Sequence, residues 1–288
     1  MRISTQMLQQ GALRGLGNTL ALLARAQEEA VTGRRVRTVS DDPIDASQIM
    51  RMAAHLRDIE QYRRNSAVAG TRLSTEDVVL TTARDLLARA RNLALSGATQ
   101  SPGDPLRQAA ITEIRQIREQ LISLGNTRVG NEYIFGGTST AEPPFRADGT
   151  YVGDDTVRQA EIDDHVMLDT NHTGGTLFGG ALQALEGVLG ELQSGTQDSI
   201  LRRLGDLSTA EQQALSAQTE VGSRLREIEM TGGHLARRAA NFSDRCEALR
   251  DVDPTEASVK VIAAQTALER AYAVVGRVLS TNILDYLK

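Results

Sequence analysis

The sequence contains no tryptophan and a single cysteine, and aromatic residues make up only 3% of its 288 positions. Large aromatic side chains supply much of the burial in a compact core. A chain this poor in them, yet rich in Ala, Leu, Gln, Arg and Glu, is expected to pack through thin helix-on-helix seams instead. With Cys246 alone, no intramolecular disulfide can form, which excludes the cross-linked scaffolds common among small secreted domains. No apolar run approaches the roughly 18 residues of a membrane span, so no membrane insertion is expected. Residues 16–26 imitate a signal-peptide core, but Gly17, Asn18 and Arg25 interrupt it and the helical pattern runs on beyond it, so no cleaved signal is expected. Charge is nearly balanced at −5, with acids and bases interspersed and lysine confined to Lys260 and Lys288. That leaves no basic footprint for nucleic acid.

What is present is long helical periodicity. Leu13, Leu16, Leu20 and Leu23 alternate by threes and fours, a heptad seam on a first helix over about 5–31. Gly33 stops it. Ser40-Asp41-Asp42-Pro43 then reads as a helix start, with an aspartate cap and proline in the first turn. The second helix, over 43–96, carries Ile49, Met52, Leu56, Ile59, and later Val79, Ala83, Leu86, Ala90 and Leu93, with no proline inside. At 1.5 Å per residue it could span about 80 Å. The turn around Ser101-Pro102-Gly103 leads to a third helix over 106–128, folded back antiparallel on the second.

From Asn131 to about Phe178 the texture changes to short β-like runs between turn residues. Asp148-Gly149 between Phe145 and Tyr151 is a hairpin signal. Phe135, Phe145 and Phe178 fall here, so a small separate core is expected. Helical pattern returns over 180–193 and again over 197–250, where Val221, Leu225, Ile228, Leu235, Ala239, Phe242, Cys246 and Leu249 hold one seam and Gly232-Gly233 marks a possible bend. Pro254 opens a last helix over 254–287, with Val261, Leu268, Tyr272, Val275, Leu279 and Ile283 on one side. The expected fold is therefore mainly α. A long antiparallel helical rod (41–130 and 180–253) carries paired terminal helices (1–40 and 254–288) and a small central β-rich insert (131–179). Amphipathic helices of this size are marginal alone, so the ends are read as self-association surfaces carried by Leu13, Leu16, Leu20, Leu23, Leu268, Tyr272, Val275, Leu279, Ile283, Leu284 and Leu287.

No chemistry assembles from the sequence. His55, His165, His172 and His234 lack helical metal-ligand spacing. Cys246 falls on a helix seam, as a small buried hydrophobe would. The Gly-Gly pairs fit no phosphate-cradling motif. Asp41-Asp42 fits a cap and Asp154-Asp155 a turn better than an acid–base dyad. No catalytic residue, cofactor or metal is expected. An enzyme built on the insert, or a cytosolic coiled-coil adaptor, is the alternative of another class.

Several separated motifs resemble one family. Met1-Arg2-Ile3-Ser4-Thr5, the Ser40-Asp41-Asp42-Pro43 cap, Asn131-Glu132-Tyr133-Ile134-Phe135-Gly136-Gly137-Thr138, then Pro144-Phe145 and Tyr151-Val152-Gly153-Asp154, resemble bacterial hook–filament junction proteins, the third hook-associated protein of the flagellum. The finish, Gln265-Thr266-Ala267-Leu268 and Leu284-Asp285-Tyr286-Leu287, is similar to that family and to flagellin. Gly136-Gly137 stands where Ser-Gly is common. The resemblance implies a non-catalytic ring between hook and filament. Its implied partners are copies of itself, a neighbouring hook-associated protein and flagellin, with an export chaperone masking the C-terminal helix. It also implies export without signal cleavage to an extracellular site. Flagellin itself is the alternative within the same class.

Overall fold

The computed structural model describes the backbone of residues 2–286 and the side chains of residues 7–279. Six α-helices dominate the described residues: α1 (Arg2–Thr32), α2 (Pro43–Ala98), α3 (Pro105–Gly125), α4 (Gly180–Ser194), α5 (Gln197–Arg250) and α6 (Pro254–Tyr286). Four short strands lie between α3 and α4: β1 (Arg128–Val129), β2 (Glu132–Tyr133), β3 (Gln159–Asp163) and β4 (Val166–Asp169). They form two separate antiparallel pairs, β1 with β2 and β3 with β4. The fold is mainly α, with the terminal helices paired and the β-rich segment in the middle of the chain. By packing, the chain divides into two units: Ile59–Arg237, and the residues before and after it.

In the Ile59–Arg237 unit, α2 and α5 run antiparallel. Arg84 donates to Gln218 at 2.7 Å, and Arg91 pairs with Glu211 further along. Between them α2 contributes Leu73, Leu80, Ala83, Leu87, Ala90 and Ala94, and α5 contributes Ile200, Leu207, Ala210, Ala214, Ala217 and Val221, all buried. The α5 steps of seven, three and four keep one stripe inward, and the alanines permit close approach of the helix backbones. Helix α3 turns back on α2, with Arg89 paired to Glu113 and Ile111, Ile114, Ile117 and Leu121 buried. Asp104 caps it, accepting from the Leu106 N–H at 2.8 Å, with Pro105 in the first turn.

Three expectations are corrected here. Helix α3 ends at Gly125, not near 128, because the Phe145 ring lies against that backbone. A Cβ at Gly125 would stand 2.6 Å from the ring, and Thr127 leaves the helix to start the β1 turn. The insert has no core of its own. Phe135 and Phe178 meet edge-on at 5.1 Å, Phe145 packs on Tyr151 and Phe178, and all join the buried residues of α3 and α4. Strands of two to five residues cannot enclose a core without borrowing a helical wall. Lastly, Cys246, expected as a small buried hydrophobe, is only half-buried.

Candidate functional site

Helices α1 and α6 pair antiparallel within the unit formed by the chain's two ends. Toward α6, α1 presents half-buried Ala12, Leu16, Thr19 and Leu23 and buried Ala26. Helix α6 answers with Ala264, Ala267, Leu268 and Ala271, half-buried, and Val275, buried. Lys260 reaches the buried Glu29 at 3.6 Å, and Arg25 reaches it at 3.3 Å. Glu256 holds Lys260 from the other side at 3.0 Å, and this hydrogen bond raises the ammonium's pKa against its modest desolvation.

The leucine series of α1 thus divides between two faces. Leu16 and Leu23 are used within the pair. Leu13 and Leu20 point away, 55% and 44% exposed, as do Leu8 and Leu22. The seam that α6 covers runs through Ala12, Leu16, Thr19, Leu23 and Ala26, and shares only two members with the leucine series. The α6 series divides likewise. Leu268 and Val275 turn inward, while Tyr272, Leu279, Val259, Ile262 and Val274 remain exposed. Ile283 and Leu284 lie beyond the described side chains, and Leu287 lies outside the described residues. The outward residues leave the terminal pair with exposed apolar side chains after its own seam is closed.

The base of the pair is tied by the segment between α1 and α2. Gly33, in the left-handed region at φ 67°, ends α1 and accepts from the Val252 N–H at 3.0 Å. Arg35 donates its backbone N–H to the Arg250 carbonyl at 2.7 Å. Its guanidinium binds the Leu249 carbonyl at 2.8 Å, Asp42 at 3.3 Å, and Asp45. The three cap residues have different roles. Asp42 caps α2, accepting from the Ile44 and Asp45 N–H groups at 3.1 and 3.0 Å, ahead of Pro43 in the first turn. Asp41 instead fastens the preceding turn, accepting from the N–H groups of Thr38 and Arg37 at 2.9 and 3.2 Å. These backbone donors hold both carboxyls below the usual aspartate range.

Elsewhere the polar clusters are structural. Asp154 accepts from the N–H groups of Thr138, Ser139 and Thr156 and from the Thr138 hydroxyl. Those bonds, led by the Thr138 hydroxyl, hold its pKa far below the ordinary aspartate value. Glu161, Asp164 and His165 approach one another at the β3–β4 turn, but two of the three are exposed and His165 sits at φ 57° in the turn itself. Sequence reasoning missed Arg107 altogether. It is 2% exposed and donates to the carbonyls of Leu192, Glu191, Gly195 and Gln100 at 2.7 to 3.0 Å, closing the C-terminal end of α4. One signal was available: Arg107 is in phase with the Ile111, Ile114, Ile117 stripe.

Two family models match the chain, the bacterial flagellin N-terminal helical region over residues 3–140 and the flagellin C-terminal helical region over 204–287. Flagellar hook-associated protein 3 of Escherichia coli K12 is 28% identical over 301 residues, spanning 94% of this chain and 95% of that protein. The chain belongs to the flagellar hook-associated protein 3 family. The Salmonella typhimurium protein of the same name is 32% identical over 180 residues, 62% of this chain and 57% of that one. Among solved structures, Bacillus cereus FlgL superposes with a TM-score of 0.61 at 25% identity, covering 68% of this chain and 99% of that one. A Legionella pneumophila hook associated protein-3 gives 0.64 over 70% and 98%, and at 14% identity supports the fold alone. The hook-associated protein 3 family is a structural, flagellin-like one, and the terminal helix pair described above falls inside its two matched regions.

Proposed function

We propose that this chain is a structural part of the bacterial flagellum that forms the junction between hook and filament by self-assembly through its terminal helices. The observation that carries this reading is the set of large apolar side chains that the α1–α6 pair leaves exposed. Leu8, Leu13, Leu20, Leu22, Val259, Ile262, Tyr272, Val274 and Leu279 stay exposed although their helices are already paired. Burying the remaining exposed area of each is worth roughly 1 kcal/mol, about 10 kcal/mol together. Association costs about 4–15 kcal/mol, so a single pair of copies is marginal. A closed ring, in which each copy gains two such neighbours, is favoured. In this reading the ends (1–40 and 254–288) line the inner core, the helical segments 41–130 and 180–253 stand outside it, and 131–179 is the outer insert. Neighbouring hook-associated protein and flagellin subunits cap the ring on its two sides, an export chaperone covers α6 beforehand, and the chain leaves the cell without signal cleavage. Family kinship favours a mechanical role over catalysis.

The test uses Leu20→Asp and Tyr272→Asp, whose wild-type side chains are exposed and contribute little to the isolated fold. Each variant should keep its helical circular dichroism yet fail to appear at the hook–filament junction, with motility lost. Removing the chain beyond Leu279 should do the same. Normal motility in all three would overturn the proposal. Flagellin is the second reading, favoured by the two flagellin family models. Antibody labelling of purified hook–filament preparations separates the two: a single band at the hook end supports the junction, and label along the filament supports flagellin.

A further inference from the structure

We propose that His172 is a proton-dependent latch, which holds the segment between β4 and α4 against α2 and α5 while its imidazole is charged and releases it when the proton is lost. The ring is nearly enclosed, with 15% of its side chain exposed, and each nitrogen faces a carboxylate. Nδ1 stands 2.6 Å from Glu76 Oε1 on α2, and Nε2 stands 3.0 Å from Glu220 Oε2 on α5. An ionised carboxylate only accepts hydrogen bonds. Both contacts are satisfied together when both ring nitrogens carry protons, so the geometry selects the imidazolium.

The surroundings give the charge its consequence. Glu76 is 2% exposed, and its carboxylate pairs with this imidazole. A buried acid deprived of its cation is costly. Glu220 is half open to solvent and shares Arg224, which also faces Asp169 at the end of β4. Arg224 further donates to the Asn171 carbonyl at 3.4 Å. Asn171 Oδ1 accepts from the Arg158 N–H, and the Arg158 carbonyl accepts from the Thr170 N–H at 2.8 Å. The segment 169–173 therefore meets the long helices through a few polar anchors, of which only His172 titrates near neutrality. Burial works against its charge, as does Arg224, but Glu76 and then Glu220 outweigh them, and the pKa stands above the ordinary 6.5.

The sign follows from linkage. A histidine with a raised folded-state pKa contributes fully below the unfolded value near 6.5 and loses that contribution as pH rises through the folded value. The latch is closed in mildly acidic medium and opens on the alkaline side.

The experiment is made on the full chain. Imidazole 15N and 13C shifts give the His172 midpoint, and hydrogen–deuterium exchange gives protection factors for 166–178 at about pH 6 and about pH 8.5, on either side of the ring's titration. The midpoint should lie above the ordinary imidazole value, and protection should fall several-fold on going to the higher pH. In His172→Gln that pH dependence should vanish. In Glu220→Gln, milder because the site is solvent-exposed, the midpoint should move down while the fold is retained. A midpoint at or below the ordinary value, an unmoved midpoint in Glu220→Gln, or equal pH dependence in wild type and His172→Gln would each overturn the latch. Should His172→Gln fail to fold, the Glu220→Gln shift decides alone.

Discussion

Replacing Arg107 by methionine keeps the aliphatic stem and removes the whole donor fork. The carbonyls of Leu192, Gly195 and Gln100 then face an apolar side chain, while the Glu191 carbonyl keeps the Gly195 N–H at 2.7 Å. Each orphaned acceptor costs about 1–3 kcal/mol. Some of that sum is offset because a buried cation no longer has to be desolvated, giving a net loss of about 4 kcal/mol. Arg107 also sits in the first turn of α3, where a cation is unfavourable, but its guanidinium reaches the C-terminal end of α4, whose partial negative charge favours it. Lysine, with a compact ammonium, cannot reach four carbonyls spread around a planar fork, so Arg107→Lys should recover only part of the loss. Thermal unfolding followed by circular dichroism is the assay. For a unit the size of Ile59–Arg237, the expected fall in Tm is about 8–16 °C. A loss below about 1 kcal/mol, or a lysine variant equal to wild type, would show that water readily takes over the three orphaned carbonyls and would refute the argument.

Asp42→Ala should destabilise the terminal unit by about 1 kcal/mol by orphaning the first N–H groups of α2, read as faster hydrogen exchange over 44–46, with Asp41→Ala affecting 37–38 instead. Gly137→Ala should loosen the insert, because Gly137 sits at φ 70° and its Cβ would collide with Asp154; proteolysis rates across 136–156 measure this. Acid should act on the same turn. The depressed pKa of Asp154 means its contribution is complete above the ordinary aspartate value and is lost only as pH falls through the much lower folded value. Asp154→Asn should therefore remove an acid-dependent step in the exchange of the Thr138 and Ser139 amides that wild type shows.

Much of the fold was legible because periodicity and punctuation agree. The span of α5 could be read from Gly195 before it and Pro254 after it, with one apolar stripe throughout. The cap at Asp42 was equally readable, since a cap is local. Where several solutions share one pattern, the reading failed. Leu13, Leu16, Leu20 and Leu23 make a single heptad on paper, yet the seam with α6 takes only Leu16 and Leu23 from it and adds Ala12, Thr19 and Ala26. Small residues at three of those five positions let two thin helices approach. The Glu76–His172–Glu220 arrangement was not legible either, since its members are 96 and 48 residues apart and meet only through the antiparallel course of α2 and α5. The aromatic residues were correctly located in the insert, but their wall is helical, and Gly125 is the residue that gives it away.

The terminal pair joins the first helix of the chain to the last, with the Ile59–Arg237 unit enclosed between them in sequence. Closing so long a loop in an unfolded chain costs about 5 kcal/mol in chain entropy before any constant term. Once the enclosed unit has folded, the antiparallel course of α2 and α5 brings its two exits together, as the approach of Ile228 to Gly70 records. The stretches still to be closed shrink to 33–58 and 238–253, and about 1.5 kcal/mol of that cost disappears. The order of folding is thereby built into the topology. The middle must form first and the ends zip last, so whatever slows the enclosed unit also delays the appearance of the apolar faces on which assembly depends.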